Sequence, residues 1–248
     1  MSRFENPIFC ALDTTDLERA AALAHDLRGA IGGIKIGMEL FHTHGADGYR
    51  RIAQSGLPVF LDLKLHDIPN TVAAAIRAVL PLRPAIIDLH ATGGPAMMRA
   101  ARTAADEAGK DAPRVVAVTV LTSLEELDLE AIGFHMGGGR TASDLALRLA
   151  ALAAEAGLDG AVCATGDTAA IRQRLGTDFL TVVPGIRPAS AAAGDQKRIA
   201  DPRSAIDSGA DILVVGRPIT AAADPVAAAN AILAECRAAE RMRVNEEP

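Results

Sequence analysis

The sequence is poor in aromatic residues: among its 248 residues there is no Trp, one Tyr and six Phe. Proteins that bind single-stranded nucleic acids stack the bases on aromatic side chains, so this shortage argues against such a partner. Basic residues are not in excess either, because 25 Lys and Arg stand against 31 Asp and Glu and leave a formal net charge of −6. A protein that follows a phosphate backbone needs a basic surface. The composition therefore predicts no nucleic-acid partner.

The chain also lacks cysteine motifs and long apolar runs. Its three cysteines, Cys10, Cys163 and Cys236, lie far apart and form no C-x-x-C or Cys/His spacing, so we expect neither a disulfide framework nor a zinc site. The six histidines form no metal-binding motif such as H-E-x-x-H. No run of 18 apolar residues occurs, and residues 1–6 are mostly polar or charged. We therefore expect a cytoplasmic protein with no metal and no membrane partner.

Short runs rich in Ile, Val and Leu recur eight times, which is typical of strands that are buried on both faces. They are Ile8–Asp13, Gly33–Met38, Val59–Lys64, Ala85–Ala91, Val115–Thr122, Gly160–Ala164, Leu180–Ile186 and Ile212–Gly216. The stretches between them are rich in Ala and have apolar residues at three- and four-residue spacing, which predicts amphipathic helices. Examples are Asp16–Leu27, Asn70–Leu82, Ser143–Ala156 and Pro225–Ala239.

Eight strand-then-helix units without a break in composition predict a (β/α)₈ barrel that forms a single catalytic domain over residues 1–248. The alternative is an open Rossmann-like sheet, but its G-x-G-x-x-G fingerprint is missing. Two connections, Ser123–Arg140 and Arg187–Ala200, are longer than a minimal turn and predict mobile loops. Both follow a strand, so we expect them at the catalytic rim of the barrel.

Polar residues gather at the carboxyl ends of the apolar runs, where barrel enzymes build their active sites. They are Asp13, Lys35, Asp62, Lys64, Asp88, Thr122, Arg187 and Arg217. Strand side chains alternate, so Asp62 and Lys64 should share one face while the intervening leucines pack under helices. Lys35 should join them, since it stands between Ile34 and Ile36. A simple ion pair is one interpretation, but buried charges are costly unless a function retains them, which favours catalysis. Asp88 faces the barrel interior or ties strands together, and we do not assign it to the site.

The segment from Asp62 to Thr71, D-L-K-L-H-D-I-P-N-T, closely resembles the signature of the bacterial-type orotidine 5′-phosphate decarboxylases. Five other segments resemble blocks of that family in the same order. They are Ala11–Asp13, Ile34–Gly37, Val118–Ser123, Val183–Arg187 and Val214–Ile219. The resemblance thus extends over nearly the whole chain.

This resemblance implies a (β/α)₈ barrel that decarboxylates orotidine 5′-phosphate to UMP without a cofactor, and a homodimer with composite active sites. It implies catalytic roles for Lys64, Asp62 and Lys35, with Asp67 reaching the site of the partner subunit. It also implies a set of substrate-binding residues. These are Asp13, Lys35, Asp62, Asp67, Ile68, Thr71, Thr122, Arg187, Gln196, Gly216 and Arg217.

Two other functions stay open. Related sugar-phosphate barrels, including hexulose-phosphate synthases and ketogulonate-phosphate decarboxylases, share a D-x-K-x-x-D motif, but they use magnesium and additional carboxylates. The chain differs from their pattern in having Lys35 and the H-D-I-P-N-T continuation. The second alternative is a non-catalytic module that binds a nucleotide phosphate.

Overall fold

The computed structural model describes residues 5–135, 138–188 and 200–246, without the side chains of 243–246. Within these residues, eight parallel strands pair in chain order and close into a barrel, because the first strand pairs with both the second and the eighth. The strands are β1 Ile8–Ala11, β2 Gly33–Gly37, β3 Val59–Leu65, β4 Ile86–His90, β5 Arg114–Val118, β6 Gly160–Val162, β7 Leu180–Val183 and β8 Ile212–Val215. Closure confirms the predicted barrel and excludes the open sheet.

Ten α-helices separate or follow these strands in the described part of the chain. They are α1 Leu17–Asp26, α2 Met38–Ala53, α3 Pro69–Val79, α4 Gly94–Asp106, α5 Glu126–Ala131, α6 Ala142–Glu155, α7 Thr165–Leu175, α8 Pro202–Asp207, α9 Arg217–Thr220 and α10 Pro225–Glu246. Short 3₁₀ turns occupy Leu80–Leu82, Ala91–Gly93 and Gly109–Asp111. Capping side chains set several helix starts: the Asp16 carboxylate accepts from the Arg19 N–H ahead of α1, and Thr141 and Asp144 form a capping box on α6.

The core has two layers because neighbouring strand residues point to opposite sides of the barrel wall. The interior layer is built from one set of residues: Phe9, Ala11, Phe60, Ile86, Val116, Leu180, Val182, Ile212 and Val214. The outer layer, between wall and helices, takes the alternate residues such as Ile8, Cys10 and Leu61. Gly33 makes room for the Phe9 ring, since a Cβ at Gly33 would lie 2.4 Å from it. The interior layer fills the barrel below the carboxyl ends of the strands, so the space at those ends is left for a site.

One of the two long connections differs from the expectation of an irregular loop. Ser123–Arg140 contains the short helix α5, so its first half is not an irregular loop. Most of Arg187–Ala200 lies outside the described residues, which resume at Ala200, where its N–H approaches the carbonyl of Gly185. No helix among the described residues is long and apolar enough to cross a membrane. The extent of the domain over all of 1–248 stays a prediction.

Candidate active site

A pocket of about 540 Å³ opens at the carboxyl ends of the strands. Its floor is apolar and includes Phe60, Val118, Val162 and Val214 from the barrel interior. Its rim and one wall are polar. The polar residues that line it are Asp13, Lys35, Asp62, Lys64, Asp88, Thr122, Arg187 and Arg217, together with Gly216. The eight polar residues at the predicted strand ends and Gly216 thus meet around one cavity, as the barrel topology requires.

Five of these side chains form a row of alternating acidic and basic groups along one wall. The Lys35 ammonium lies 3.0 Å from Asp13 Oδ1 and 3.2 Å from Asp62 Oδ2. The Lys64 ammonium contacts Asp62 Oδ1 and lies 3.7 Å from Asp88 Oδ2. Each ammonium therefore stands between two acidic side chains. The row runs Asp13, Lys35, Asp62, Lys64, Asp88, and we refer to it as the charge row.

Burial is uneven along the charge row. The side chains of Lys35 and Asp62 are 11% and 10% exposed and Asp88 is fully buried, whereas Asp13 is 58% exposed. Burial alone favours the neutral form of an acid or an amine. It lowers the pKa of Lys35, but the carboxylates of Asp62 and Asp13 outweigh it and hold that pKa above its ordinary value. Burial likewise raises the pKa of Asp62, but Lys35, Asp88 and Lys64 together hold it well below the usual range, so Asp62 is ionised.

Lys64 reaches the charge row from an irregular backbone and not from a regular strand. Its φ is 50°, in the left-handed region, which costs a residue with a side chain about 1–2 kcal/mol. The β3–β4 ladder pairs Leu61 with Ile87 and then Leu65 with Leu89, so a bulge separates the two pairs. Side-chain alternation along β3 therefore predicted correctly that Asp62 faces the pocket. Lys64 also faces the pocket, but this results from the bulge and not from regular alternation.

Asp88 lines the pocket, although its sequence context did not assign it to the site. It follows Ile86 by two residues on β4, so its side chain points into the barrel interior above that residue. Burial, and next the neighbouring charge of Asp62, raises the pKa of Asp88 well above its ordinary value. The signal that could have found it is a single carboxylate inside the apolar run Ile86–His90 at an inward-facing position.

Two histidines lie beside Lys64 and the adjoining strand. The rings of His66 and His90 have centroids 5.4 Å apart. Burial lowers the pKa of His90, and the neighbouring His66 ring and Lys64 ammonium lower it further. His90 therefore stays neutral at neutral pH and adds no charge next to the charge row.

Thr122, Arg187, Gly216 and Arg217 line the pocket from the later strands, after β5, β7 and β8. Arg187 is half-buried and Arg217 is exposed. A Cβ placed on Gly216 would lie 3.7 Å from Ala11 Cβ and from Asp13 Oδ2, so the protein itself would accept a methyl group there. The two guanidinium groups give this rim a positive character that suits an anion.

Asp67, Ile68 and Thr71 do not join this cavity. They lie at the start of α3, are exposed, and are absent from the pocket lining. Ile68 is 67% exposed, which is unusual for a large apolar side chain, and its N–H donates to Asp67 Oδ1 at 2.7 Å. Gln196, the remaining predicted binding residue, lies outside the described residues. No group of three potential metal ligands occurs in the described part of the chain.

Comparison with known proteins identifies the family. The family model described as "Orotidine 5′-phosphate decarboxylase / HUMPS family" matches residues 6–232. The chain is 54% identical over 227 residues to the orotidine 5′-phosphate decarboxylase of Novosphingobium aromaticivorans, covering 92% of this chain and 97% of the relative. It is 52% identical to that of Paramagnetospirillum magneticum, covering 93% and 98%.

A solved structure agrees with these relatives. The crystal structure of orotidine 5′-phosphate decarboxylase from Lactobacillus acidophilus superposes with a TM-score of 0.79 at 34% identity, covering 94% of this chain and 99% of that one. The family-model match over residues 6–232 includes all eight strands, and so each strand that contributes to the charge row. On sequence and on fold, the chain belongs to the orotidine 5′-phosphate decarboxylase / HUMPS family.

Proposed function

We propose that the protein converts orotidine 5′-phosphate to UMP and CO₂, the last step of de novo pyrimidine nucleotide synthesis. The observation that carries this proposal is the charge row, which places the Lys64 ammonium between the acidic side chains of Asp62 and Asp88, in a pocket that has an apolar floor and arginines on its rim. The family description also names HUMPS, but the relatives at 52–54% identity are named orotidine 5′-phosphate decarboxylases.

The chemistry requires a group that stabilises a carbanion and then supplies a proton. Loss of CO₂ breaks the bond between C6 of the pyrimidine and its carboxylate, and the electron pair stays on C6 in the plane of the ring. The π-system delocalises such a pair poorly. In this proposal the Lys64 ammonium lies beside C6, stabilises the pair and donates a proton to it, and solvent returns a proton to the amine.

Asp62 supplies the second part of the mechanism. Because its pKa is held low, it stays ionised and would lie close to the substrate carboxylate. Two like charges about 4 Å apart repel by about 4 kcal/mol at an effective dielectric near 20, and the repulsion disappears as neutral CO₂ leaves. Lys35 fixes Asp62 from the other side before substrate arrives. Charges that are held in place in advance need no reorganisation during the reaction.

The remaining pocket residues suit the rest of the nucleotide. We assign Arg187, Gly216 and Arg217 to the phosphate, because the loops after the last two strands of a barrel are a common phosphate site and arginine binds phosphate through two parallel hydrogen bonds. Asp13 and Lys35 would contact the ribose. Thr122 and Gln196 complete the proposed set of binding residues. Phosphate contacts far from C6 can assist the reaction there by holding the ring in position.

The decisive experiment follows the loss of orotidine 5′-phosphate spectrophotometrically, with and without a chelator. We expect turnover to UMP that the chelator leaves unchanged. Lys64→Ala should abolish turnover, whereas Lys110→Ala, an exposed lysine in the turn before β5, should not change it. Activity that is lost with the chelator and restored by magnesium would favour a sugar-phosphate lyase. Tight binding of UMP without turnover would favour a non-catalytic module.

We also propose that the working unit is a homodimer in which Asp67, Ile68 and Thr71 serve the site of the other subunit. Their exposure at the start of α3 supports this, since none of them lines the pocket of its own chain. Ile68 is an apolar side chain that a second copy would cover. Asp67 of the partner subunit would then add a carboxylate next to Lys64, which is compatible with the alternating charges.

A mixture of inactive variants tests the composite site. Lys64→Ala and Asp67→Asn homodimers should each be inactive, but a hybrid dimer contains one site that has both Lys64 and Asp67. We therefore expect activity to return after subunit exchange. Exchange verified by a mass or affinity tag without any return of activity would exclude the composite site.

We further propose a cytoplasmic location. In the described part of the chain, Cys10, Cys163 and Cys236 are buried and form no disulfide, which suits a reducing compartment. Cell fractionation followed by the orotidylate assay tests this: activity confined to a membrane or exported fraction would contradict it.

A further inference from the structure

The bulge in β3 interrupts the hydrogen-bonded ladder between β3 and β4 at Lys64. Between the pairs Leu61–Ile87 and Leu65–Leu89, three residues of β3 face the single residue Asp88 of β4. The strand backbone of β4 cannot accept from all three N–H groups there. A buried N–H without an acceptor would be costly, so another group must take its place.

The Asp88 side chain supplies that acceptor. Its Oδ1 accepts a hydrogen bond of 2.8 Å from the backbone N–H of Lys64, the residue with the left-handed φ. Its Oδ2 lies 3.7 Å from the Lys64 ammonium. Asp88 thus contacts both the main chain and the charged end of Lys64, and it is fully buried while doing so.

We propose that Asp88 is a positioning residue for the decarboxylation: it holds the main chain of Lys64 in the bulge, and so directs the ammonium toward the pocket and Asp62. The proposal rests on the proposed function of the site. It adds a positioning residue, from a different strand, to the four catalytic residues predicted from the sequence. The contact matters because a displacement of about 1 Å in a catalytic group can reduce the rate about 100-fold.

To hold the main chain of Lys64, residue 88 must offer a hydrogen-bond acceptor, but it does not have to be charged. Asp88 Oδ2 accepts no hydrogen bond from any described residue. A proton on this oxygen would let it donate to the neighbouring carboxylate of Asp62, and the burial and charge that surround Asp88 favour that protonated form. An asparagine has the same shape, an acceptor oxygen for the Lys64 N–H and a donor for Asp62. Asparagine should therefore replace Asp88, whereas an apolar residue of similar volume should not.

The test compares Asp88→Asn with Asp88→Leu by steady-state kinetics on orotidine 5′-phosphate. We expect Asp88→Asn to keep a kcat close to that of the parent. Asp88→Leu should lose about 100-fold in kcat with little change in KM, because the groups assigned to ribose and phosphate are untouched. A crystal structure of Asp88→Leu should show Lys64 with a negative φ and its ammonium withdrawn from Asp62.

A matched control separates positioning from general stability. Asp211 is also buried and also accepts a strand N–H, that of Thr181 at 2.8 Å, but it lies at the opposite end of the barrel, just before β8. Asp211→Asn should lower Tm without changing kcat at temperatures where it is folded.

Three outcomes would overturn the proposal. One is an Asp88→Leu variant with parental kcat, and another is an Asp88→Asn variant whose kcat falls as far as that of Asp88→Leu. The third is a fall in kcat with an unchanged position of Lys64. If Asp88→Leu does not fold, Asp88→Asn alone still decides, since a large loss of kcat in a folded variant contradicts an acceptor role. A parent protein without turnover would instead refute the proposed function.

Discussion

Replacing Lys35 by Met tests whether burial or distance decides the strength of the ion pairs in the charge row. The Lys35 ammonium is slightly closer to Asp13 Oδ1, at 3.0 Å, than to Asp62 Oδ2, at 3.2 Å. At 3.2 Å the Coulomb attraction is about 5 kcal/mol at an effective dielectric near 20, before the cost of desolvation. Removing one partner of a buried pair typically costs about 3–5 kcal/mol. Because Asp62 keeps Lys64 as a second partner, we expect a loss near 3 kcal/mol.

Asp13→Asn provides the comparison. Its pair with Lys35 is shorter, but the Asp13 side chain is 58% exposed and solvent screens the charge. Exposed pairs contribute about 0–1 kcal/mol, so this variant should lose no more than that. For a chain of this size, a loss of about 3 kcal/mol corresponds to a fall in Tm of roughly 6–12 °C.

The assay is urea denaturation at one protein concentration and several pH values, because the stability of the proposed homodimer would depend on concentration. The lowered pKa of Asp62 contributes stability above its unfolded value near 4, and this is lost as the pH falls toward the folded value. The raised pKa of Lys35 contributes stability below its unfolded value near 10.4, and this is lost as the pH rises through the folded value. The difference between parent and Lys35→Met should therefore be constant from about pH 5 to pH 9.

Two results would refute this reasoning. One is a loss below about 1 kcal/mol for Lys35→Met, which would make the buried pair no stronger than a surface pair. The other is an equal loss for Asp13→Asn and Lys35→Met, which would mean that distance and not burial sets the energy.

Two further predictions concern the phosphate and the thiols. Arg217→Ala should lower kcat/KM for orotidine 5′-phosphate about 10- to 100-fold, the value of a charge-assisted hydrogen bond, but should leave kcat/KM for the phosphate-free nucleoside unchanged. Arg50→Ala, which removes an exposed ion pair with Asp47 on α2, is its control, and equal losses on both substrates would contradict the assignment to phosphate. Burial raises the pKa of Cys10 to about 12, so a thiol reagent at pH 8 should label this residue only after unfolding, and rapid labelling of the native protein would contradict its burial.

Much of the fold was predictable because each strand-then-helix unit carries its own local pattern. The run Ile212–Gly216 predicts a strand, and Ile212–Val215 is one. The period of the apolar residues between strands predicts helices such as α1 and α6, whose starts are marked by Asp16 and Thr141. The barrel then follows from repetition, since eight parallel units of this kind close on themselves.

Local sequence pattern was enough to predict the fold class, the end of the barrel that holds the pocket and most of the charge row, because these depend on periodicity and on charges placed where apolar runs end. The left-handed backbone of Lys64 and the contact of Asp88 with both ends of that residue arise only when the chain has folded. Local pattern carries no information on either, since a bulge and a hydrogen bond between residues 24 positions apart depend on how two strands align. The same physics explains the state of Asp88: its pKa depends on the burial and the neighbouring carboxylate that exist only after the barrel has closed.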